Sequence, residues 1–155
     1  MTVDRRTLLR RGGTAVLGAV GLAGCFETDS PDADPVAEEP DYGGWFARSE
    51  GYSRTLDYTG QGQVNVEVGV PGNGGEFAFA PPAIAVSPHT TVVWQWTGEG
   101  GQHDVVAADD SFRSPYHSEA GATYSHTFDD TGVHRYFCAA HRSEGMRGAV
   151  VVTDE

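Results

Sequence analysis

Cys138, His141 and Met146 fall within nine residues of one another, in the stretch Tyr136-Phe-Cys-Ala-Ala-His-Arg-Ser-Glu-Gly-Met146. The spacing C-x2-H-x4-M follows an apolar, strand-like run. It sets a thiolate, an imidazole and a thioether on one short loop, a soft donor set that suits copper. A trigonal copper site takes a second imidazole, which has to come from elsewhere in the chain. His103, in Gly100-Gly-Gln-His-Asp-Val105, is the candidate. Cys138 is the only cysteine beyond the N-terminal segment, and Met146 is the only methionine after the initiator. Together these residues make a specific motif hypothesis.

Length and charge narrow the setting. At 155 residues the chain fits one domain with appendages. Residues 1–24 carry four arginines and one acid; the remainder carries six arginines, 21 acids and no lysine. So acidic a surface argues against nucleic acid, because little is available to neutralise phosphates. It argues equally against electrostatic attraction to an anionic membrane. Such a charge repels itself in dilute salt, whereas at ~1 M salt the Debye length of about 3 Å removes most of that cost. The acid excess therefore points to a high-salt organism, with an ordinary acidic secreted protein as the plainer reading.

The N-terminal segment reads as a targeting signal. Arg5-Arg6-Thr-Leu-Leu-Arg10 has the form of a twin-arginine export signal. The apolar run Thr14–Ala23 behind it falls short of the ~20 residues of a membrane span, so residues 1–24 are expected to be a signal peptide. Leu22-Ala-Gly-Cys25 resembles a lipobox, which makes Cys25 the expected lipidated N-terminus. The alternatives are an uncleaved anchor helix or cleavage without lipid. Each cysteine sits in a motif of its own, so no disulfide between Cys25 and Cys138 is expected. Residues 25–43 form an acidic linker interrupted by Pro31, Pro35 and Pro40. Seven of the 16 residues from 26 to 41 are acids, a composition that extends a chain and buries no core.

The domain is expected over 44–155. Trp45 to Tyr58 shows no clear period and reads as a short helical turn or an irregular arm. Short strand-like runs follow, at 64–70, 77–79, 84–86, 91–96, 104–107, 123–128, 133–137 and 149–152. Val92, Trp94 and Trp96 share one face, and Pro71-Gly-Asn-Gly-Gly75 is a turn. Even spacing, 21 glycines and no long helical period predict an all-β chain, an antiparallel β-sandwich of seven to eight strands.

From Gly44 to about Thr153 the chain resembles the small blue copper proteins, plastocyanin-like, and among them the halocyanins of halophilic archaea. The resemblance rests on Val92-Val-Trp-Gln-Trp-Thr97, Gly100-Gly-Gln-His-Asp-Val105, Gly132-Val-His-Arg-Tyr-Phe-Cys138, and Gly145-Met146 followed by Gly148-Ala-Val-Val-Val152. It implies a Greek-key, cupredoxin-like sandwich with one type 1 copper ion at one end. His103, Cys138 and His141 would be its equatorial ligands and Met146 its long axial one. The sequence departs from the family at Ala140, where many relatives have Pro. Ala keeps a backbone N–H, expected to donate to the Cys138 sulfur and raise the reduction potential. It departs at Asp104, where relatives have Asn; an ionised Asp accepts hydrogen bonds but cannot donate them, which puts a tie between the ligand loops in question. It departs again at His89, where relatives prefer Gly, a strained choice if the turn needs positive φ. His89, His117, His126 and His134 are expected to lie away from the metal, with His117 and His126 exposed.

The resemblance implies an electron carrier cycling Cu(I)/Cu(II), a lipid-anchored monomer on the extracytoplasmic face of the membrane. Its partners would be membrane or surface redox proteins, with no nucleic acid. A four-donor set leaves no open coordination position, so no enzyme is expected. The competing reading is copper storage or delivery at the cell surface, which favours Met-rich or multi-cysteine exposed sites over one mixed set. A Cys–His hydrolase would need an open cleft and a third orienting group.

Overall fold

The computed structural model describes residues 33–154. Signal peptide, lipobox and Cys25 lie outside the described residues. Nine strands form two sheets: β1 (Leu56–Asp57), β2 (Gln63–Gly72), β3 (Gly75–Ala80), β4 (Ala83–Val86), β5 (Thr90–Trp96), β6 (Val106–Ala107), β7 (Thr123–Phe128), β8 (Gly132–Phe137) and β9 (Arg147–Val152). One sheet has the order β1-β4-β9-β8-β6, the other β3-β2-β5-β7.

The all-β sandwich is as expected, with two refinements. The ninth strand, β1, is two residues long and carries no periodic signal of its own. The sheets are also mixed: β1 with β4, β2 with β5 and β4 with β9 run parallel. Side-chain alternation reports which face a residue lies on but not strand direction, because a strand has the same two-residue period either way. Between β2 and β5 the chain visits the other sheet through β4, which provides the crossover a parallel neighbour requires.

Alternation fills the space between the sheets. Val64, Val66 and Val68 of β2, Val92, Trp94 and Trp96 of β5, and Tyr136, Val150 and Val152 opposite them are buried together. The hairpin between β2 and β3 turns on Asn73 and Gly74, at φ 59° and 90°. Two positive-φ residues make a turn whose twist matches the flanking strands, and Asn-Gly tolerates both positions. The Asn73 amide also donates to the Phe77 carbonyl at 2.7 Å and accepts from the Glu50 N–H at 2.8 Å.

The Glu50 contact belongs to the arm, and composition did not reveal that the arm docks on the domain. Tyr42, Trp45 and Phe46 pack with Ala83 and Ala149 on the outer face of the five-stranded sheet. The linker stretch also meets the domain: Val36 N–H donates to Thr55 O at 2.9 Å, and Asp57 N–H to Asp34 O at 2.8 Å. Backbone pairing needs no apolar side chain, so an acidic segment can dock without showing it in composition. No helix among the described residues is long and apolar enough to cross a membrane.

Candidate metal centre

At one end of the sandwich the chain brings together three of the residues singled out in the sequence. Cys138 immediately follows β8 and caps a 3-10 turn over Ala139–Glu144 that carries His141. His103 arrives on the loop after β5. The donor atoms of His103, Cys138 and His141 all lie within 4.8 Å of one another. The Cys138 Sγ is 3.8 Å from Nδ1 of His103 and 3.7 Å from Nδ1 of His141.

Each side chain is aimed by backbone contacts. His103 is locked by a pair of 3.0 Å hydrogen bonds exchanged with the backbone of His117, and its carbonyl accepts from the Trp96 indole at 3.0 Å. Its Nε2 lies 2.8 Å from the Glu99 carbonyl. A carbonyl can only accept, so Nε2 carries the proton and Nδ1 presents its lone pair toward Cys138. Gly100 allows this approach: its φ is +82°, and a Cβ there would sit 2.8 Å from His103 Nε2. His141 is half-buried, with the Phe77 ring stacked on it at 4.1 Å and 16°. Met146 has 0% exposure. The Cys138 N–H donates to the Met146 carbonyl at 3.0 Å, and the Met146 N–H to the His141 carbonyl at 3.2 Å. The loop thus closes on itself with Met146 beside the cluster.

Charge in this pocket is controlled by burial. Burial pushes the Cys138 thiol above its ordinary pKa, against hydrogen bonds from the backbone of Asp104, His141 and Ala140, while the Asp104 carboxylate pushes further upward. Burial also holds His103 below the usual imidazole range, against the raising effect of the Glu99 carbonyl. A neutral imidazole is the form that can donate a lone pair.

Asp104 resolves one question that the sequence left open. Its Oδ1 accepts from the Ala139 N–H at 2.7 Å, so the two loops are tied by an acceptor alone. The tie needs only the oxygen that Asp and Asn share. Its other oxygen is buried without a hydrogen-bond partner, 4.0 Å from the Arg113 guanidinium. The Ala140 backbone N–H is among the groups that lower the Cys138 pKa against burial. His89 takes φ 73°, the left-handed conformation its position implied, and its Nδ1 lies 2.9 Å from Asp129.

The remaining histidines lie outside the cluster, but His117 and His126 are half-buried where exposure was expected. His117 packs edge-on to Trp96 at 4.9 Å, and His126 stacks on Phe112 at 4.5 Å. Flat apolar partners cover both rings, a contact that polarity scales miss. Phe77 was missed as a site residue altogether. The only signal was that Phe77 and Phe79 are two apart and β3 is short, which leaves the outer of the two at the rim.

Two imidazoles whose Nδ1 atoms face one buried sulfur, with a buried thioether on the same loop, fit a copper ion in both oxidation states. The chain matches the family described as copper binding proteins, plastocyanin/azurin family, over residues 64–153. A halocyanin from Natronomonas pharaonis is 50% identical, aligned over 96% of each chain. Plastocyanin from Ginkgo biloba is 31% identical over 56% of this chain and 99% of its own. The oxidised plastocyanin of Dryopteris crassirhizoma superposes with a TM-score of 0.47 at 24% identity, over 58% of this chain and 100% of that one. The chain belongs to the plastocyanin/azurin family of copper-binding proteins.

Proposed function

We propose that the protein is a one-electron carrier whose metal is held by His103, Cys138, His141 and Met146. The observation that carries this reading is the convergence of the two imidazoles on the Cys138 sulfur, with donor atoms within 4.8 Å. Copper supplies the one-electron couple Cu(I)/Cu(II) when bound. The residues supply rigidity. The Asp104–Ala139 hydrogen bond ties the two ligand loops, the Glu99 carbonyl fixes the His103 tautomer, and the Phe77 ring holds the His141 plane. Loops so fastened need not rearrange when the charge at the site changes, which is the requirement for fast electron exchange. Loading the metal displaces the proton of the Cys138 thiol, so uptake weakens as pH falls.

Four donors leave no position for a substrate, so the protein carries electrons without turning one over. A storage or delivery protein needs thiols that a receiving protein can reach, whereas Cys138 has 0% exposure. The setting follows from the N-terminus. Residues 1–24 serve as the export signal, Cys25 bears the lipid, the acidic segment 25–43 leads to the domain at 44–155, and the copper end works at the extracytoplasmic face. Membrane or surface redox proteins give and take the electron.

The protein loaded with one equivalent of Cu(II) in concentrated salt should show an intense blue or green thiolate-to-copper absorption band. That band should vanish in Cys138→Ser. A colourless, weakly held copper signal from the unsubstituted protein would sink the carrier reading and favour storage or delivery. For the anchor, Cys25→Ala should release the protein from the membrane fraction; unchanged fractionation would remove the lipid from the account.

A further inference from the structure

The acidic composition hides one local reversal. From residue 25 onward there are six arginines: Arg48, Arg54, Arg113, Arg135, Arg142 and Arg147. Arg54 faces Glu39 at 3.6 Å and Arg113 faces Asp104 at 4.0 Å. Three of the other four gather around Trp45, and the fourth, Arg48, acts on the charge of Arg147. The guanidinium carbons of Arg147, Arg135 and Arg142 lie 4.9, 5.4 and 5.9 Å from the indole centroid. Arg142 also lies 4.3 Å above the Phe137 ring. Arg147 is held below the usual guanidinium range, by burial first and then by the positive charges of Arg142 and Arg48. Among the described residues, none of these four makes an ion pair with a carboxylate.

Folding explains one of them. Arg147 donates to the Trp45 carbonyl at 3.1 Å and pins the arm to the sheet. Arg48, Arg135 and Arg142 are exposed and do nothing comparable. Like charges brought together raise the energy of the folded state, and a chain with 21 acids beyond residue 24 had many carboxylates with which to relieve it. Asp41 lines a shallow cleft with Arg135, yet its Oδ1 accepts the Gly43 N–H. The aromatic rings hold the guanidinium groups of Arg135 and Arg142 at the surface, where both side chains stay exposed. That is the arrangement for bidentate capture of a carboxylate.

Position supplies the purpose. Phe137 precedes Cys138 and Arg142 follows His141, so the patch adjoins the metal centre through two of its own neighbours. We propose that Arg135 and Arg142, mounted on Trp45 and Phe137, together with the exposed Arg48, form the docking surface for a carboxylate-rich face of a protein redox partner. An anionic lipid surface seated here would cover the end at which electrons are exchanged. In concentrated salt long-range steering is screened, so recognition rests on direct guanidinium–carboxylate pairs over a small interface of the kind that suits redox encounters. The inference rests on the carrier reading.

The test titrates the full copper-loaded protein with poly-L-glutamate at ~1 M KCl, where repulsion from the rest of the acidic surface is screened. Binding is read from tryptophan fluorescence and amide chemical shifts. The triple variant Arg48→Gln/Arg135→Gln/Arg142→Gln should bind roughly tenfold or more weakly, and Arg54→Gln should bind as the unsubstituted protein does. Equal binding by the triple variant overturns the proposal. So does binding to phosphatidylglycerol vesicles without binding to poly-L-glutamate, which would make this a membrane-facing surface. Sedimentation showing a dimer that the triple substitution dissolves would make the occupant a second copy, and would also overturn it. The absorption band recorded on the same samples reports the carrier role separately, so a missing band and a silent patch are distinct failures.

Discussion

The two faces of the five-stranded sheet are built by different means. On the inner face, large side chains from the strands themselves, Ile84, Val86, Tyr136, Val150 and Val152, meet the opposing sheet. On the outer face the fully buried strand residues are small, Ala83 and Ala149, with Phe137 and Val151 partly buried beside them, and the buried bulk comes from the arm as Tyr42, Trp45 and Phe46. Gly148 is where the two meet. Its carbonyl accepts the Trp45 indole N–H at 2.9 Å on one side, and a Cβ on it would collide with the Tyr136 ring on the other. The inner face is self-sufficient and carries Cys138 and Met146 within the same cluster. The outer face is sealed by a segment that arrives from before β1. The metal centre therefore depends on the strands, and the arginine patch depends on the arm.

The sharpest way to break this contrast is to remove one large ring from each face. Tyr136→Ala should cost about 3–5 kcal/mol in denaturant unfolding, the range for deleting a buried aromatic side chain, and should impair copper uptake. Trp45→Ala should cost about 3 kcal/mol, at the bottom of that range, and leave the absorption band intact. A Trp45→Ala protein that takes up no copper would show that the faces are not independent.

Acid should separate the faces next. The folded state holds His103 and His126 below the ordinary imidazole value of 6.5. The unfolded chain therefore binds protons first. The stability these neutral imidazoles contribute is whole above about pH 6.5 and drains away as pH falls through their lowered folded values. In the arm, burial works upward on Glu39, but hydrogen bonds from Thr55 and Tyr52 outweigh it and hold the carboxyl below its ordinary 4.5. Its contribution is whole above about pH 4.5 and is lost below that. It is also small, because the group is exposed. Copper-free protein should thus unfold at lower denaturant concentration at about pH 5.5 than at about pH 7.5, while Trp45 fluorescence before the transition stays unchanged. A pH-independent midpoint across that interval would refute the claim that burial keeps these two imidazoles neutral.

The smallest expected effect is electronic. Ala140→Pro removes a backbone N–H that hydrogen-bonds the Cys138 sulfur. Less stabilisation of the thiolate favours the oxidised state, so voltammetry should record a lower reduction potential with little change in stability. An unchanged or raised potential would remove Ala140 from the tuning of the site.

Most of the inner face was legible in the residues. Val92, Trp94 and Trp96 announced their shared face by alternation, and β7 was bounded by the period alone. The metal centre was legible for a different reason: Cys, His and Met are rare in this chain, so their spacing stood out. That the arm docks on the sheet was not legible, because Trp45 to Tyr58 has no clear period, and its fully buried strand partners, Ala83 and Ala149, are too small to mark a buried face. Strand direction, the two-residue β1 and the Phe77 stack on His141 were equally silent.

The residues along the chain determined on their own which donors exist, which face of each strand is apolar, and how strongly the surface is charged. These are local properties, fixed by covalent order and by the two-residue period of an extended chain. Only the tertiary structure decided that Asp104 ties the ligand loops through one oxygen, that Phe77 stacks on His141, and that three of six arginines meet at one tryptophan. Those relations join residues far apart in sequence, and no local pattern encodes a distance that only packing sets.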